Sequence, residues 1–504
     1  MADRFTAEQR AAIDRRGGTI LVGAAAGSGK TTVLAERIVS LLADEASGVD
    51  ASRLLVLTFS NAAAAEMRQR IKTRLAERIS ENSANAHLRH QQRALRRARI
   101  GTVHSFCAAL LREHFSVLDI PPDFSMGDES FAYSVKRRAL EETAELCYRE
   151  HPDAMRQLAA AFGRSRSDRE ALDAVSAMYQ FQQNLAFPAR WQQQVLAELR
   201  GEVAPQDTLW AKTALRRAAA LLQEARIIAV QQLEVLHEDA DLTRMAEKAL
   251  LADFDTVTAL EAKVASADWD GAAAALQNLS FARLSWRGGN VAVREEVKAL
   301  RDMLKDLLGK LQNSPLADTL QQLSDAAKRT LPIAEALFTV CAVYREKQMQ
   351  EKLERRFFEF DDLETLALRL LCDENGQPTE QAKQISESFD CIFVDEFQDT
   401  NERQKCIFDA VSKDGKNLFC VGDVKQSIYR FRRADPTIFT DMRQQCYPAE
   451  AGLYPAYLAL HKNFRSAAPV LDAVNAVFEP LMTKDFGGVD YCDGEQLEKG
   501  VIEG

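Results

Sequence analysis

The chain has 504 residues, of which 46% are hydrophobic and 27% are charged, and its formal net charge is −10. This composition argues against disorder and predicts a globular protein of two or more domains, because one hydrophobic core rarely organises so many residues. The longest apolar runs have the length of buried strands, and the N-terminus lacks the apolar core of a signal peptide. We therefore expect a cytoplasmic protein without a membrane-spanning segment.

Cysteine spacing and charge distribution limit the possible sites further. The nine cysteines include no Cys-x-x-Cys pair, so we expect reduced, mostly buried thiols rather than a zinc or iron–sulfur site. The negative net charge argues against a protein coated in nucleic acid but allows a local basic groove. Such a groove or, alternatively, the solvated face of a charged helix is indicated by Arg68, Arg70, Lys72, Arg74, Arg78, Arg89, Arg93, Arg96, Arg97 and Arg99.

Short apolar segments alternate with helical stretches from Thr19 to about Phe106, beginning with TILVG and LLVLTF. The same alternation returns at CIFVDEF (391–397) and LFCVGD (418–423). This pattern predicts an α/β fold with a parallel sheet, and both late strands end in carboxylates, where such sheets place ligand chemistry. Between about 121 and 355 the apolar residues follow helical spacing, which predicts an all-helical insertion whose four tryptophans are core residues rather than a stacking platform.

A phosphate-binding loop is predicted at GAAAGSGKTT (23–32), between a strand and a helix. Gly27 and Gly29 let the backbone curl so that its N–H groups point at phosphates, Lys30 supplies positive charge, and the Thr31 hydroxyl can bind Mg²⁺. Ala24 occupies the position of the first glycine in the general motif, so a chance glycine-rich turn is the alternative. The expected nucleotide contacts are Ala26, Gly27, Ser28, Gly29, Lys30, Thr31 and Thr32.

A catalytic carboxylate pair is predicted at VDEFQDT (394–400), which ends an apolar strand. Asp395 would hold Mg²⁺ through water, and Glu396 would orient and deprotonate the attacking water. Such a pair is common by chance, but together with the phosphate loop it predicts an ATPase rather than a kinase. ATP and Mg²⁺ are the expected nucleotide and metal.

With these two motifs placed, the order of the remaining segments resembles superfamily 1 DNA helicases of the UvrD, RecB and AddA group. FTAEQ (5–9) is similar to the motif in which Gln9 would read the adenine edge. Thr6 with Gln9 also fits a helix capping box, and both interpretations can hold together. HKNFRS (461–466) resembles the motif in which Phe464 stacks on adenine and Arg465 reaches the γ-phosphate from a second RecA-like domain.

Further motifs imply contacts with single-stranded DNA. The segments 57–71 and 102–107 resemble two DNA-contacting motifs, and GDVKQSIYRFR (422–432) resembles the motif that links nucleotide state to DNA. In that last motif Gln426 would sense the γ-phosphate. The expected DNA contacts are Phe59, Asn61, His104, Tyr429, Phe431 and Arg432, and the resemblance also favours the basic groove as a surface that follows phosphates.

Within this group the chain looks most like AddA, on GDVKQSIYRFRRADP and on FEFDDLETLAL (358–368). The resemblance implies a RecA-like ATPase domain at 1–120 and 356–450, interrupted by the helical insertion, with a second, incomplete RecA-like domain starting at 451. Nothing in the chain resembles the later helicase motifs or a nuclease domain, so we expect a fragment of a longer protein or a truncated reading frame.

The implied activity is ATP-driven DNA unwinding or translocation, with 3′ to 5′ polarity, in a helicase–nuclease that processes double-strand breaks for repair and recombination. The implied partners are single-stranded DNA, double-stranded DNA ends and an AddB-type nuclease subunit. One alternative is a UvrD-type repair helicase, and another is an ATP- and DNA-binding module that is inactive in isolation. A kinase or metabolic P-loop enzyme would leave Gln426, Tyr429 and Arg465 without a role.

Overall fold

We describe the protein from a computed structural model that covers residues 5–81, 84–163, 168–286, 288–483, 490–491 and 495–500, apart from the side chains of Glu129 and Arg432. The chain divides into two compact units. The first contains residues 1–145, 175–190 and 341–504, and the second contains residues 146–174 and 191–340. Within the described residues, no helix has both the length and the apolar character needed to cross a membrane.

The first unit is built on a seven-stranded parallel sheet with the order β3-β2-β6-β7-β1-β9-β8. Its strands are β1 (Ile20–Ala24), β2 (Leu54–Thr58), β3 (Arg99–Thr102), β6 (Cys391–Val394), β7 (Leu418–Gly422), β8 (Tyr447–Pro448) and β9 (Ala456–Leu460). Three small strands form the pairs that complete the β structure with β5 (Phe357–Phe358) and β11 (Glu498–Lys499), namely β4 (Ser125–Met126) with β5 and β10 (Lys462–Asn463) with β11.

Helices cover both faces of this sheet, because its strands are apolar on both sides. Along β1, Leu21 packs into one core while Ile20 and Val22 pack into the other, as the two-residue period of a strand requires. The helices with residues in this unit are α1 (Ala7–Asp14), α2 (Lys30–Ala43), α3 (Asn61–Glu81), α4 (Ala86–Ala94), α5 (Val103–Glu113), α6 (Phe115–Leu118), α7 (Glu129–Glu150), α9 (Arg169–Gln182), α16 (Phe360–Leu371), α17 (Glu380–Ser386), α18 (Glu402–Val411), α19 (Pro436–Gln445) and α20 (Ala468–Leu481).

The second unit is helical throughout its described residues. Its helices are α8 (Pro152–Phe162), most of α10 (Pro188–Arg200), α11 (Leu209–Leu236), α12 (Ala240–Ala265), α13 (Trp269–Gln277), α14 (Val291–Gln312) and the first part of α15 (Leu320–Glu354). Trp269 is 2% exposed and belongs to the core between these helices, as predicted for the tryptophans. A buried ion pair joins α14 to α12, where Arg301 donates to both carboxylate oxygens of Asp253 at 2.7 and 3.2 Å.

The α/β class with a parallel sheet and a helical insertion is confirmed, but the boundaries of the parts differ from those that the sequence indicated. The compact helical unit is shorter than 121–355, because residues 121–145, 175–190 and 341–355 belong to the first unit. Strand β9 lies beyond position 450, yet it pairs with β1 from Ile20↔Ala456 to Ala24↔Leu460. The first sheet therefore continues to residue 460, past the predicted start of a second domain.

Candidate functional site

The phosphate loop lies between β1 and α2, at the edge where the parallel strands end. Gly27 and Gly29 adopt φ of +71° and +81°, a left-handed conformation that favours glycine. Gly29 is also the N-cap of α2, and no side chain caps this helix. The first N–H groups of α2 and the positive end of its dipole are consequently available for an anion.

Lys30 supplies a cation at the start of the same helix. Its Nζ is buried without a hydrogen-bond partner and lies 3.5 Å from Oε2 of Glu396, within ion-pair range but too far for a short hydrogen bond. The Ser28 hydroxyl is likewise buried without a partner. A buried cation and hydroxyl that lack acceptors fit a phosphate group, which would satisfy both.

Gln9 lies next to the loop from the opposite side. Its side-chain amide donates to the carbonyl of Ser28 at 2.9 Å, while its Oε1 accepts from the N–H of Thr6 and completes a capping box. The capping interpretation is therefore correct. The adenine contact stays a prediction, with Gln9 placed beside the loop that it requires.

Residues 462–465 also contact the loop. Asn463, which is 3% exposed, donates through Nδ2 to the carbonyl of Ala26 at 2.7 Å, and the N–H of Phe464 donates to the carbonyl of Gly27 at 3.0 Å. Asn463 was not predicted as a site residue, although it directly precedes Phe464 and Arg465. A Cβ on Gly27 would lie 2.8 Å from Asn463 Nδ2 and 2.9 Å from Arg465 Cβ, so this contact leaves no room for a side chain.

The carboxylate pair lies at the end of β6. Glu396 has φ of 53° and ψ of 44°, a strained conformation for a residue with a long side chain, which is typical of functional sites. Burial, together with the neighbouring Glu396 carboxylate, raises the pKa of Asp395 to about 6. Such a carboxylate gains from a nearby cation, which fits the predicted Mg²⁺ role of Asp395 with Thr31 in the first turn of α2.

Two more acidic groups extend this chemistry. Asp399 was not predicted, yet burial and the charge of Glu396 raise its pKa to about 6 as well, and its Oδ1 is buried without a partner. Across the described residues, no group of three or more histidine, cysteine, aspartate or glutamate side chains is arranged to hold a metal by itself. A Mg²⁺ ion here would take its remaining ligands from phosphate and water.

Gln426 lies beyond the end of β7 in the short helical turn 424–426. Its Nε2 donates to Oδ2 of Asp423 at 2.6 Å, and Nζ of Lys425 lies 2.9 Å from the other oxygen of the same carboxylate. Lys425 also pairs with Glu495. The predicted γ-phosphate sensor is therefore held by Asp423, the last acidic residue of the predicted strand LFCVGD.

A row of aromatic side chains follows the same sheet edge. The ring of Phe59, after β2, stacks on that of Tyr429 with centroids 4.8 Å apart, and Tyr429 lies 5.8 Å from Phe431. Phe431 is 77% exposed and Phe59 is 41% exposed. Asn61 begins α3 and is also exposed, whereas the side chain of Arg432 lies outside the described residues. These exposed flat faces can stack on unpaired bases.

His104 lies at the start of α5 and faces the same cavity, which has a volume of about 590 Å³. Its ring centroid is 4.9 Å from that of Phe360, which is 59% exposed, and its Nε2 is 3.3 Å from Oε1 of Glu364. Burial opposes ionisation of Glu364, but hydrogen bonds from His104, Gln404 and Asn401 hold its pKa below the usual value. Phe360 and Glu364 were missed, because both lie in a segment used only for its subfamily resemblance.

The predicted basic groove is partly neutralised. On α3, Arg70 pairs with Glu66, Arg74 with Glu77 and Arg78 with Glu36, at 2.6 to 2.9 Å. Two further arginines are also engaged, since Arg68 donates to the carbonyl of Ile100 and Arg99 pairs with Glu113. These pairs weaken the positive field of the stretch, and its role in following phosphates stays a prediction.

Comparison with known proteins agrees with this geometry. The chain matches the family model described as UvrD/REP helicase N-terminal domain over residues 5–447. Proteins named as the AddA subunit of an ATP-dependent helicase/nuclease, from Alkaliphilus oremlandii and from a Thermoanaerobacter species, are each 35% identical to it, over 99% of this chain and 41% of the relative. The protein of the same name from Clostridium acetobutylicum is 32% identical with the same coverage. The chain thus spans about two fifths of the length of these curated relatives.

Proposed function

Because the chain belongs to the family of UvrD/REP helicase N-terminal domains, we propose that it is the ATP-binding front part of an ATP-driven DNA helicase or translocase. This membership agrees with the resemblance that the order of motifs indicated. The observation that carries the proposal is the convergence of the phosphate loop, the carboxylates after β6 and residues 462–465 at one sheet edge. Motor ATPases need these parts together, because hydrolysis requires a phosphate cradle, a base and a group that senses the phosphate.

The residues of this edge suit ATP hydrolysis in distinct ways. The loop N–H groups and Lys30 would bind the phosphates, and Glu396, 3.5 Å from Lys30, would orient the attacking water and accept its proton. Thr31 and Asp395 would hold Mg²⁺, which supplies positive charge to the phosphate oxygens when bound. Gln426 and Arg465 are the proposed γ-phosphate contacts, through which loss of that phosphate would alter the site.

Single-stranded DNA is the proposed second ligand. The exposed rings of Phe59, Tyr429 and Phe431 would stack on successive bases, each worth roughly 1 to 3 kcal/mol. His104 and Asn61 would contact the same strand from α5 and α3, and Phe360 extends the row. Because Tyr429 and Phe431 follow Gln426 closely in the chain, a change at the phosphate can reach the DNA over a short distance.

For the whole protein we propose the role of a cytoplasmic helicase–nuclease component that acts on broken DNA ends during repair and recombination. Support comes from the relatives that are named for an ATP-dependent helicase/nuclease, which match over 99% of this chain. A partner of the AddB nuclease type and movement from 3′ to 5′ belong to this proposal through the AddA resemblance. A longer open reading frame with further helicase motifs but no nuclease domain would instead assign the UvrD type.

The test is ATP turnover by the full-length protein that carries this chain, with and without single-stranded DNA. DNA should stimulate turnover, and Lys30→Ala should reduce it at least about 100-fold, because one lost cation removes charge stabilisation of that order. Lys416→Ala is the matched control, since this lysine is 76% exposed and lies outside every site motif. Absence of stimulation in the full-length protein would contradict the proposal. Calorimetric binding of ATP and Mg²⁺ without turnover would favour an inert binding module.

A further inference from the structure

Gln398 is a buried amide that lies between the catalytic carboxylate and the segment after β7. It is 2% exposed, and both ends of its side chain form hydrogen bonds. Nε2 donates to Oε2 of Glu396 at 2.9 Å, and Oε1 accepts from the N–H of Asp423 at 2.9 Å. Its sequence position alone does not distinguish it from the other glutamines of the chain.

The orientation of this amide is determined by its partners. A backbone N–H can only donate, so the oxygen end of Gln398 must face Asp423. The nitrogen end must therefore face Glu396, where it also lies 3.3 Å from Oδ2 of Asp399. Close packing reinforces this arrangement, because a Cβ on Gly422 would lie only 2.6 Å from Gln398 Oε1.

The same hydrogen bonds continue toward Gln426. Asp423 receives the N–H donor of Gln426 at 2.6 Å, and the Ser427 hydroxyl donates to the backbone carbonyl of Gln398 at 3.2 Å. Three hydrogen bonds thus join Glu396 through Gln398 and Asp423 to Gln426. A shift of the segment that carries Gln426 would pull on the amide and so on the Glu396 carboxylate.

We infer that Gln398 is a positioning residue that makes the orientation of Glu396 depend on the conformation of residues 423–431. This inference rests on the proposed function, because it assigns to Gln398 the link between DNA contact at Tyr429 and Phe431 and water activation at Glu396. Gln398 itself touches neither ligand. Its loss should therefore change how strongly DNA accelerates turnover rather than how tightly ATP or DNA binds.

The test compares Gln398→Met and Gln91→Met in the full-length protein. Methionine keeps the shape of glutamine and removes both hydrogen bonds. Gln91 is a matched control, because it is also 2% exposed, donates to the carbonyl of Val49 at 2.9 Å and accepts from the N–H of Ala51 at 2.8 Å. Both variants should lose similar stability. Only Gln398→Met should lower the DNA-stimulated kcat, at least tenfold, while the KM for ATP and the Kd for single-stranded DNA change less than twofold.

Gln398→Glu provides a second variant with nearly the native shape. It can still accept from the N–H of Asp423 but can no longer donate to Glu396, so it should show the same loss of stimulation. The inference is overturned if Gln398→Met or Gln398→Glu keeps the stimulation of the wild type. It is also overturned if Gln398→Met slows turnover with and without DNA by one common factor, as Gln91→Met would through stability alone. A wild type without stimulation refutes the proposed function itself.

Discussion

Replacing Asp395 with asparagine should stabilise the nucleotide-free protein while it removes ATP turnover. The cause is the pKa of this carboxyl, which burial and the charge of Glu396 raise from 3.8 to about 6. A group whose pKa is higher in the folded state favours folding when it is protonated, and this contribution is lost as the pH rises through the folded value. At pH 8 the wild type therefore folds with an unfavourable buried charge that asparagine does not carry.

The size of the effect follows from the two pKa values. Ionisation of Asp395 should cost about 3 kcal/mol of folding free energy at pH 8 and about 1.6 kcal/mol at pH 5. The new amide N–H groups would offset part of this gain, by about 1 kcal/mol, if they lack acceptors. That offset does not vary with pH, because an amide does not titrate. The difference between the two pH values, about 1.4 kcal/mol, is thus the sharper quantity.

The assay is denaturant-induced unfolding of wild type and Asp395→Asn at pH 8 and pH 5, without nucleotide or Mg²⁺. Asp414→Asn is the control, because this aspartate has a 91% exposed side chain and its replacement should change stability by less than about 0.5 kcal/mol at either pH. A variant that is no more stable relative to wild type at pH 8 than at pH 5 would refute the reasoning.

Three further changes test other parts of the molecule. Gly27→Ala places a methyl group 2.8 Å from a side-chain nitrogen and should weaken ATP binding at least tenfold by calorimetry, whereas Gly48→Ala, with similar φ but nothing within 4 Å, should not; equal affinities would contradict this. Asp253→Ala leaves Arg301 buried without its partner and should lower the free energy of unfolding by about 3 to 5 kcal/mol, a loss below about 1 kcal/mol being incompatible with the buried pair. Phe431→Ala should weaken single-stranded DNA binding by about 1 to 3 kcal/mol in a fluorescence titration and leave ATP affinity unchanged, and unaltered DNA affinity would remove this ring from the proposed surface.

The parts of the site that the sequence predicted are those determined by one continuous segment. Residues 23–32 specify their own loop, because the positive φ of Gly27 and Gly29 and the following helix are local properties. The strand that ends in Asp395 is likewise recognisable from its apolar run. Each of these features needs no knowledge of distant partners.

Contacts between distant segments could not be predicted in the same way. Asn463 and Ala26 are 437 positions apart, and an asparagine before a phenylalanine carries no signal of such a partner. The arginines of α3 were counted as free positive charge, since the sequence does not show which glutamates approach them. The place of β9 was missed for the same reason, because strand order in a parallel sheet depends on crossovers rather than on the strand itself.

The strand order also has a consequence for the synthesis of the chain. Strand β1 leads directly into the phosphate loop, but its two neighbours are β7 and β9, which extend to residue 460. On the ribosome, β1 emerges first and must wait for more than 400 residues before both of its hydrogen-bonded edges are paired. The helices of the second unit make contacts over much shorter separations and can form during that interval. The nucleotide loop, although first in the chain, thus belongs to the part of the protein that is completed last.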